Sequence, residues 1–320
     1  MVKNKALNKF FGIIIVLVLC LLVFEKLFDF GVKHNLNLKL SYVSSQKIDA
    51  ELLVLGPCEP LWMVSPEILS KQTQLSCYNL ANSHSDFADN YLHLSIYLQN
   101  NKAPKTLLMY VTPESFDTNY NTFYSYRFSA FMKDPLVKKT VERCDKNFSK
   151  WSFIPFMKYG YYSHQTCFLA IQGWKHYFSK KPAPYYPDGF EPPAKIVWDN
   201  HSDNLKKLYP NGYTLSWSNF RQLYLQKIVD LCKEKNIQVI FYESPILKEV
   251  SDYQYNRALH VERIKKIASA NEIEFLQFEN IPWAKDRKYF ISPMVTTLKG
   301  SFLFSYILGD SLKSAKALQH

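Results

Sequence analysis

The chain has 320 residues, 47% of them hydrophobic, enough to bury one large core and too many for a disordered polymer. Only 9 glycines are present and neither GxGxxG nor GxxxxGK[ST] occurs, which removes the usual signals of nucleotide binding. The formal charge of +11 is scattered along the chain rather than gathered in a block; that suits loose attraction to anionic headgroups or acidic polymers, and with no recognised motif beside it nucleic acid is set aside as a partner.

The first element is apolar. Lys3, Lys5 and Lys9 precede an unbroken run from Phe10 to Phe24, and extension past Glu25 and Lys26 to Phe28 gives a helix of roughly 28 Å, one hydrocarbon thickness. The lysines hold residues 1–9 in the cytoplasm, 10–30 form the membrane anchor, and Glu25 and Lys26 are expected to snorkel at its outer end. A cleaved signal peptide is the competing reading, but no small-x-small site follows the run. In Leu17-Val18-Leu19-Cys20, Leu19 is too large to precede a lipoprotein cysteine. The expectation is a single-pass protein of the cytoplasmic membrane, with a connector at 31–47 and an extracytoplasmic domain at 48–320.

Strands and helices then alternate. Leu52 to Leu55 reads as a buried strand, Pro66 to Lys71 as a short helix with proline in its first turn, and Cys77 to Leu80 as a second strand. Ser85, Asp86 and Asp89 start a helix whose apolar face is Phe87, Tyr91, Leu94 and Leu98; Thr106 to Val111 is a third strand. Residues from about 118 to 211 break the pattern. Rich in aromatics and prolines, including Trp151, Trp174, Trp198 and the run Pro182 to Pro187, they read as an insertion over one end of the sheet. Alternation resumes with a helix through Phe220, Tyr224, Ile228 and Leu231, the strand Gln238 to Tyr242, a helix from about Asp252 to Ala270, the strand Glu274 to Phe278 and a last helix from about Leu298 to Lys313. This order predicts an α/β fold with a mostly parallel sheet covered by helices on both faces.

Ligands of such sheets bind beyond the carboxyl ends of the strands. That rim holds Gly56, Cys58 and Glu59 after the first strand, Asn79, Asn82 and His84 at and after the second, Thr112 to Asp117 after the third, and Glu243 after the fourth. Cys58 is the candidate nucleophile, His84 a possible base and Glu243 a possible acid or base; the bland readings are a loop histidine and a satisfied rim carboxylate. Cys58 bonded to Cys77, and Cys144 bonded to Cys167, are the disulfides to be tested. Cys20 and Cys232 read as packing residues. No metal site and no cofactor is expected.

The strand ending in Gly-x-nucleophile, the proline-led helix, the YNLA strand, VTPESFD and a late helix entered through LKG resemble the SGNH (GDSL) hydrolase superfamily, in particular its single-pass, membrane-anchored DltD-like branch, which also includes alginate O-acetylation proteins. The resemblance covers about Asp49 to Asp117 and Phe220 to Leu312. It implies a flavodoxin-like three-layer fold and places Cys58 where that superfamily keeps its serine. Aligned on Lys299-Gly300, Ser292 stands at the superfamily's Asp and Val295 at its His. Valine accepts no proton, and a missing acid-base group costs roughly two to four orders of magnitude in rate. The resemblance therefore implies a catalytically degenerate binding or accessory module in envelope polysaccharide modification, with Gly56, Glu59, Asn79, Asn82 and Ser292 as binding residues. A membrane, an envelope polysaccharide and a membrane-bound acyltransferase are the implied partners. The alternative is an active O-acyltransferase or esterase that uses Cys58.

Overall fold

The computed structural model describes residues 2–118, 123–151, 154–161, 164–179, 186–193 and 201–314. In chain order the helices are α1 (Val2–Lys33), α2 (Lys39–Ser45), α3 (Cys58–Met63), α4 (Pro66–Thr73), α5 (Phe87–Asn100), α6 (Pro135–Cys144), α7 (Lys146–Trp151), α8 (Met157–Gly160), α9 (His164–Phe178), α10 (His201–Leu208), α11 (Asn219–Glu234), α12 (Lys248–Ser251), α13 (Arg257–Ala270) and α14 (Leu298–Ser314). The strands are β1 (Leu52–Leu55), β2 (Cys77–Asn79), β3 (Thr106–Tyr110), β4 (Gln238–Tyr242), β5 (Glu274–Leu276), β6 (Phe290–Ser292) and β7 (Val295–Thr296). The chain divides into two compact units, residues 1–46 with 124–185 and residues 47–123 with 186–320.

The second unit is built on one five-stranded sheet in the order β2-β1-β3-β4-β5, every pairing parallel. Side chains alternate across a strand. Accordingly Leu52, Val54, Leu108, Tyr110, Ile240 and Tyr242 join Met63, Val64, Leu69, Phe304, Leu308 and Leu312 in one core, under α3, α4 and α14. The intervening residues Leu53, Leu55, Leu107, Met109 and Phe241 are equally buried and point to the other face, where α5 and α11 pack together and α11 meets β4. This is the α/β architecture expected from the alternation of elements. Helix starts follow the side chains that cap them: Ser65 accepts from the Ile68 amide ahead of α4, and Asp86 accepts from the Ala88 and Asp89 amides ahead of α5. The antiparallel hairpin of β6 and β7 joins Ser292 to Val295.

In the first unit α1 is long and apolar enough to cross a membrane over Lys5–Lys33. Its C-terminal end is folded into the unit. Glu25 is not a snorkelling charge: its carboxylate lies 3.1 Å from the buried Lys158 Nζ and accepts from the Phe156 amide at 2.8 Å. Asp29 takes the same ammonium at 2.8 Å and a hydrogen bond from Tyr159 Oη at 2.5 Å. A buried lysine is retained here because two carboxylates face it. The segment read as a connector contains α2, pinned where Ser41 Oγ donates to Val32 O at 2.7 Å. Cys167 is a free thiol, so the bridge to Cys144 is not formed. Trp198 and residues 182–185 lie outside the described residues.

Helices α1 and α9 meet at glycines. A Cβ on Gly173 would overlap the Gly31 carbonyl oxygen, and one on Gly31 would lie 2.9 Å from Trp174 Cδ1. The obstacle to Gly173 is backbone and cannot rotate away. Gly173→Ala is therefore expected to separate the helices at a cost of about 1–3 kcal/mol, read as accelerated amide exchange over residues 27–36 and 169–177, with exchange in β1 and β3 unchanged.

Candidate functional site

The strand order reverses direction at the neighbours β1 and β3, and the crevice beyond the carboxyl ends of such a pair is where doubly wound sheets bind ligands. The chain leaves β1 through Gly56, whose φ of 156° and close neighbours both require glycine; a Cβ there would stand 2.7 Å from Pro60 Cγ and from Tyr110 Cβ. The turn delivers Cys58 and Glu59 to the switch point at the start of α3.

Cys58 is half-buried and a free thiol, as is Cys77, so no bridge joins them. Its Sγ donates to Glu59 Oε2 at 3.5 Å and receives the backbone amides of His84 and of Cys58 itself. Burial pushes the thiol well above its ordinary value of 9.0, the Glu59 charge adds to the rise, and the two amides offset part of it. Glu59 in turn is raised to about 7, first by burial and also by the charge of Glu114. At neutral pH the sulfur carries its proton. A thiol in this state is a poor nucleophile.

The loop after β2 closes over the turn: Asn82 N and Ser85 Oγ both donate to Gly56 O at 3.0 Å. His84 sits in this loop at φ 50°, and its amide reaches the sulfur, whereas the imidazole Nδ1 lies 2.7 Å from Ser83 Oγ. The Asn82 side chain is braced by a buried pair, with His93 Nε2 3.3 Å from Asn82 Nδ2 and His93 Nδ1 2.9 Å from Asp89 Oδ1. Asn79 is occupied by the fold. Its Nδ2 donates to Pro60 O and Val64 O at 2.8 and 2.9 Å, and its Oδ1 accepts from Ala81 N at 3.0 Å. Ser292 and Val295 face each other in the β6–β7 hairpin, with Val295 buried and β7 packed on α3. Val295 is thus part of the wall next to the Cys58 helix.

Across the rim lies a group that sequence reasoning only partly found. Arg257, at the first residue of α13, meets Glu114 Oε1 at 2.6 Å, Glu279 Oε2 at 3.2 Å and Glu243 Oε2 at 3.8 Å, and donates to Gln254 Oε1 at 3.0 Å. Arg257 is 5% exposed and Glu243 not at all. Burial drives Glu243 up to about 7, the Arg257 charge pulls it back, and Glu279 and Glu114 push it up again. Burial opposes the charge on Arg257, but the three carboxyl groups hold its affinity for the proton above the ordinary value. One cation thus serves three carboxyl groups, and a proton held on Glu243 lowers the excess negative charge. Among the described residues, Oε2 of Glu114 and of Glu243 are buried without a hydrogen bond. Glu114 is the link between the two halves of the rim, since its charge acts on both Glu59 and Glu243.

Glu279 follows the last strand of the sheet, so the rule that identified Glu243 just after β4 finds it when carried one strand further. Arg257 has no local signal; it is brought to the rim by α13. A cavity of about 870 Å³ lies elsewhere, at the opposite end of the sheet between Val229, Lys233, Gln238, Ala270 and Glu274. It is remote from every residue of the rim. Among the described residues no group of three or more His, Cys, Asp or Glu is arranged to hold a metal ion.

Fold and rim define a doubly wound α/β protein with a half-buried thiol and carboxyl at its switch point and an arginine-centred carboxyl cluster farther along the same rim. No family model matches the chain, and no curated protein matches it. Among solved structures the chain is similar to a GDSL-like lipase from Bacteroides thetaiotaomicron, at 9% identity, 88% coverage of this chain and 100% of that one, with a TM-score of 0.38. It is also similar to a carbohydrate esterase whose active site displays divergent catalytic and non-catalytic binding functions, at 9% identity, 84% coverage of this chain and 66% of that one, with a TM-score of 0.36. The chain spans slightly less than two thirds of that esterase. At this similarity neither structure assigns a role to any residue.

Proposed function

We propose that the chain is a membrane-anchored binding module, an SGNH-like domain without nucleophilic chemistry that holds a hydroxyl-rich envelope polysaccharide as an accessory to its modification. The observation that carries the reading is the state of Cys58: a protonated thiol beside a carboxyl group, its described partners being Glu59 and two amides. Proton transfer from such a thiol to Glu59, at about 7, runs uphill. What the rim offers instead is hydrogen bonding. Glu59 changes protonation near neutrality and is partly exposed, so it can donate to, or accept from, a sugar hydroxyl, while the buried Glu243 supports the rim from behind. The second reading, acyl transfer through Cys58 with Glu59 as base, is favoured by the 3.5 Å contact between them.

The anchor is read as uncleaved because its outer end is structural: loss of α1 would strip Lys158 of both its carboxylates and remove Val32 from the core of its unit. Lys3, Lys5 and Lys9, ahead of the apolar run, support a cytoplasmic tail with the domain outside.

Alkylation separates the two readings of the thiol. Cys58 is expected to react with iodoacetamide at pH 7 more slowly than an unperturbed exposed thiol, as quantified by peptide mapping. Glu59→Gln removes the carboxylate that raises the thiol and is expected to speed the reaction, about tenfold for each pH unit by which the titration falls. Incubation with an activated ester is expected to leave Cys58 unmodified. An acyl adduct on that residue by intact mass, formed faster in the parent than in Glu59→Gln, would establish the enzyme reading instead.

A further inference from the structure

Helix α9 joins α1 where the apolar run of α1 has just ended. Trp174 Nε1 donates to Leu27 O at 3.1 Å, the Trp174 ring lies 4.5 Å from that of Phe30, Gly173 abuts Gly31, and Asn35 Nδ2 donates to Leu169 O at 2.9 Å. The contacts run from Leu27 on α1 to Asn35 just beyond its end, about 12 Å of chain rise that begins at the outer end of the hydrocarbon-length run from Phe10 to Phe28. Helix α9 is therefore carried at the height where a bilayer spanned by α1 gives way to water.

Its outward face suits that height. Phe168, Ile171 and Phe178 are 59%, 55% and 74% exposed. At 100° per residue they fall within an arc of about 80°. Trp174 stacks on Phe178 at 5.7 Å, and Tyr177, itself exposed, meets Phe178 edge-on at 5.2 Å. Tryptophan and tyrosine collect at membrane interfaces because each joins a flat apolar body to one polar group. Positive charge lies in the same zone, with Lys175 in the last turn of α9 and the Lys26 and Lys133 side chains beside one another. Two adjacent ammonium groups favour an anionic partner.

We propose that α9 is an interfacial helix that seats Phe168, Ile171 and Phe178 in the headgroup and upper acyl region of the bilayer crossed by α1, giving the protein a second membrane contact that fixes the orientation of its first unit. The proposal rests on α1 being a retained span. It commits to lipid as the occupant because the face adjoins that span and carries both interfacial aromatics and Lys175.

The test uses the full chain in nanodiscs of phosphatidylcholine and phosphatidylglycerol. Phe178→Trp, and separately Phe168→Trp, places a reporter at a site exposed enough to accept it. The fluorescence added by each reporter is expected to fall at least about twofold when the lipid is brominated near the glycerol end of its acyl chains, and to resist acrylamide. Quenching by acrylamide but not by bromine would show a face in water and overturn the proposal. Resistance to both would show a face covered by protein and overturn it equally. Carbonate extraction reports on α1 separately: a chain that stays in the membrane while its reporters ignore bromine sinks the role of α9 alone, and a chain released by carbonate sinks both.

Discussion

Arg257→Met is expected to destabilise the second unit by about 3–5 kcal/mol at pH 8, the range for removing one partner of a buried ion pair. The reason is arithmetic of charge. Glu114, Glu243 and Glu279 converge on one guanidinium, and methionine fills its volume without its charge, leaving three carboxyl groups facing one another in a buried site. The cost should shrink near pH 5, because Glu243 is already inclined to hold a proton and takes it more readily without the cation. Arg257→Lys restores the charge but not the fork whose Nη1 reaches Glu114 and Gln254 while Nε faces Glu279, so it should recover only part of the loss. Urea midpoints in detergent, with amide exchange followed in β3 and β4, measure the effect. A methionine variant within 1 kcal/mol of its parent at pH 8 would show that the three carboxyl groups do not depend on this cation.

The parallel sheet was legible because LLVL, LLMY and VIFY are continuous apolar runs between turn residues, the pattern of strands buried on both faces. The β6–β7 hairpin was not, because two or three residues per strand carry no periodicity. Half of the rim could also be read. Cys58, Glu59 and Glu243 follow directly from strand ends. Arg257 could not be read, because its place depends on how α13 returns to the sheet and not on its neighbours in sequence. His84 shows a different limit: the position is legible, but the sequence does not say whether ring or amide will face the sulfur, and at a φ of 50° it is the amide that does. Glu25 fails for the same reason as Arg257. Hydropathy sees a charge at the end of a span and infers water, whereas its partner Lys158 arrives from a distant helix.

Stability is expected to fall as pH rises from about 4.5 to about 7, and then to level off. The sign follows from Glu59 and Glu243, each raised from 4.5 to about 7 by burial in the folded chain. Between those values the folded state holds protons that the unfolded state has released, so raising the pH favours unfolding, and above about 7 the full penalty is present. Each group can contribute up to about 3 kcal/mol at 1.36 kcal/mol per unit, less whatever the site recovers by relaxing. Carboxylates lowered by surface lysines, such as Glu67 beside Lys71, push in the opposite direction, but they are solvent-screened and weak. Glu59→Gln and Glu243→Gln each replace a titrating group with an amide of nearly the same shape. Each should therefore flatten its share of the slope, and the double variant should be more stable than the parent at pH 8 and close to it at pH 5. Unfolding midpoints across that range decide the matter. A parent profile that rises from pH 5 to pH 8, or a double variant that keeps the parent's slope, would mean that these carboxyl groups are ionised in the folded chain. The rim would then lack the carboxyl protons proposed to donate to a sugar hydroxyl, although the thiol, beside a permanent carboxylate that raises it further, would be no better a nucleophile.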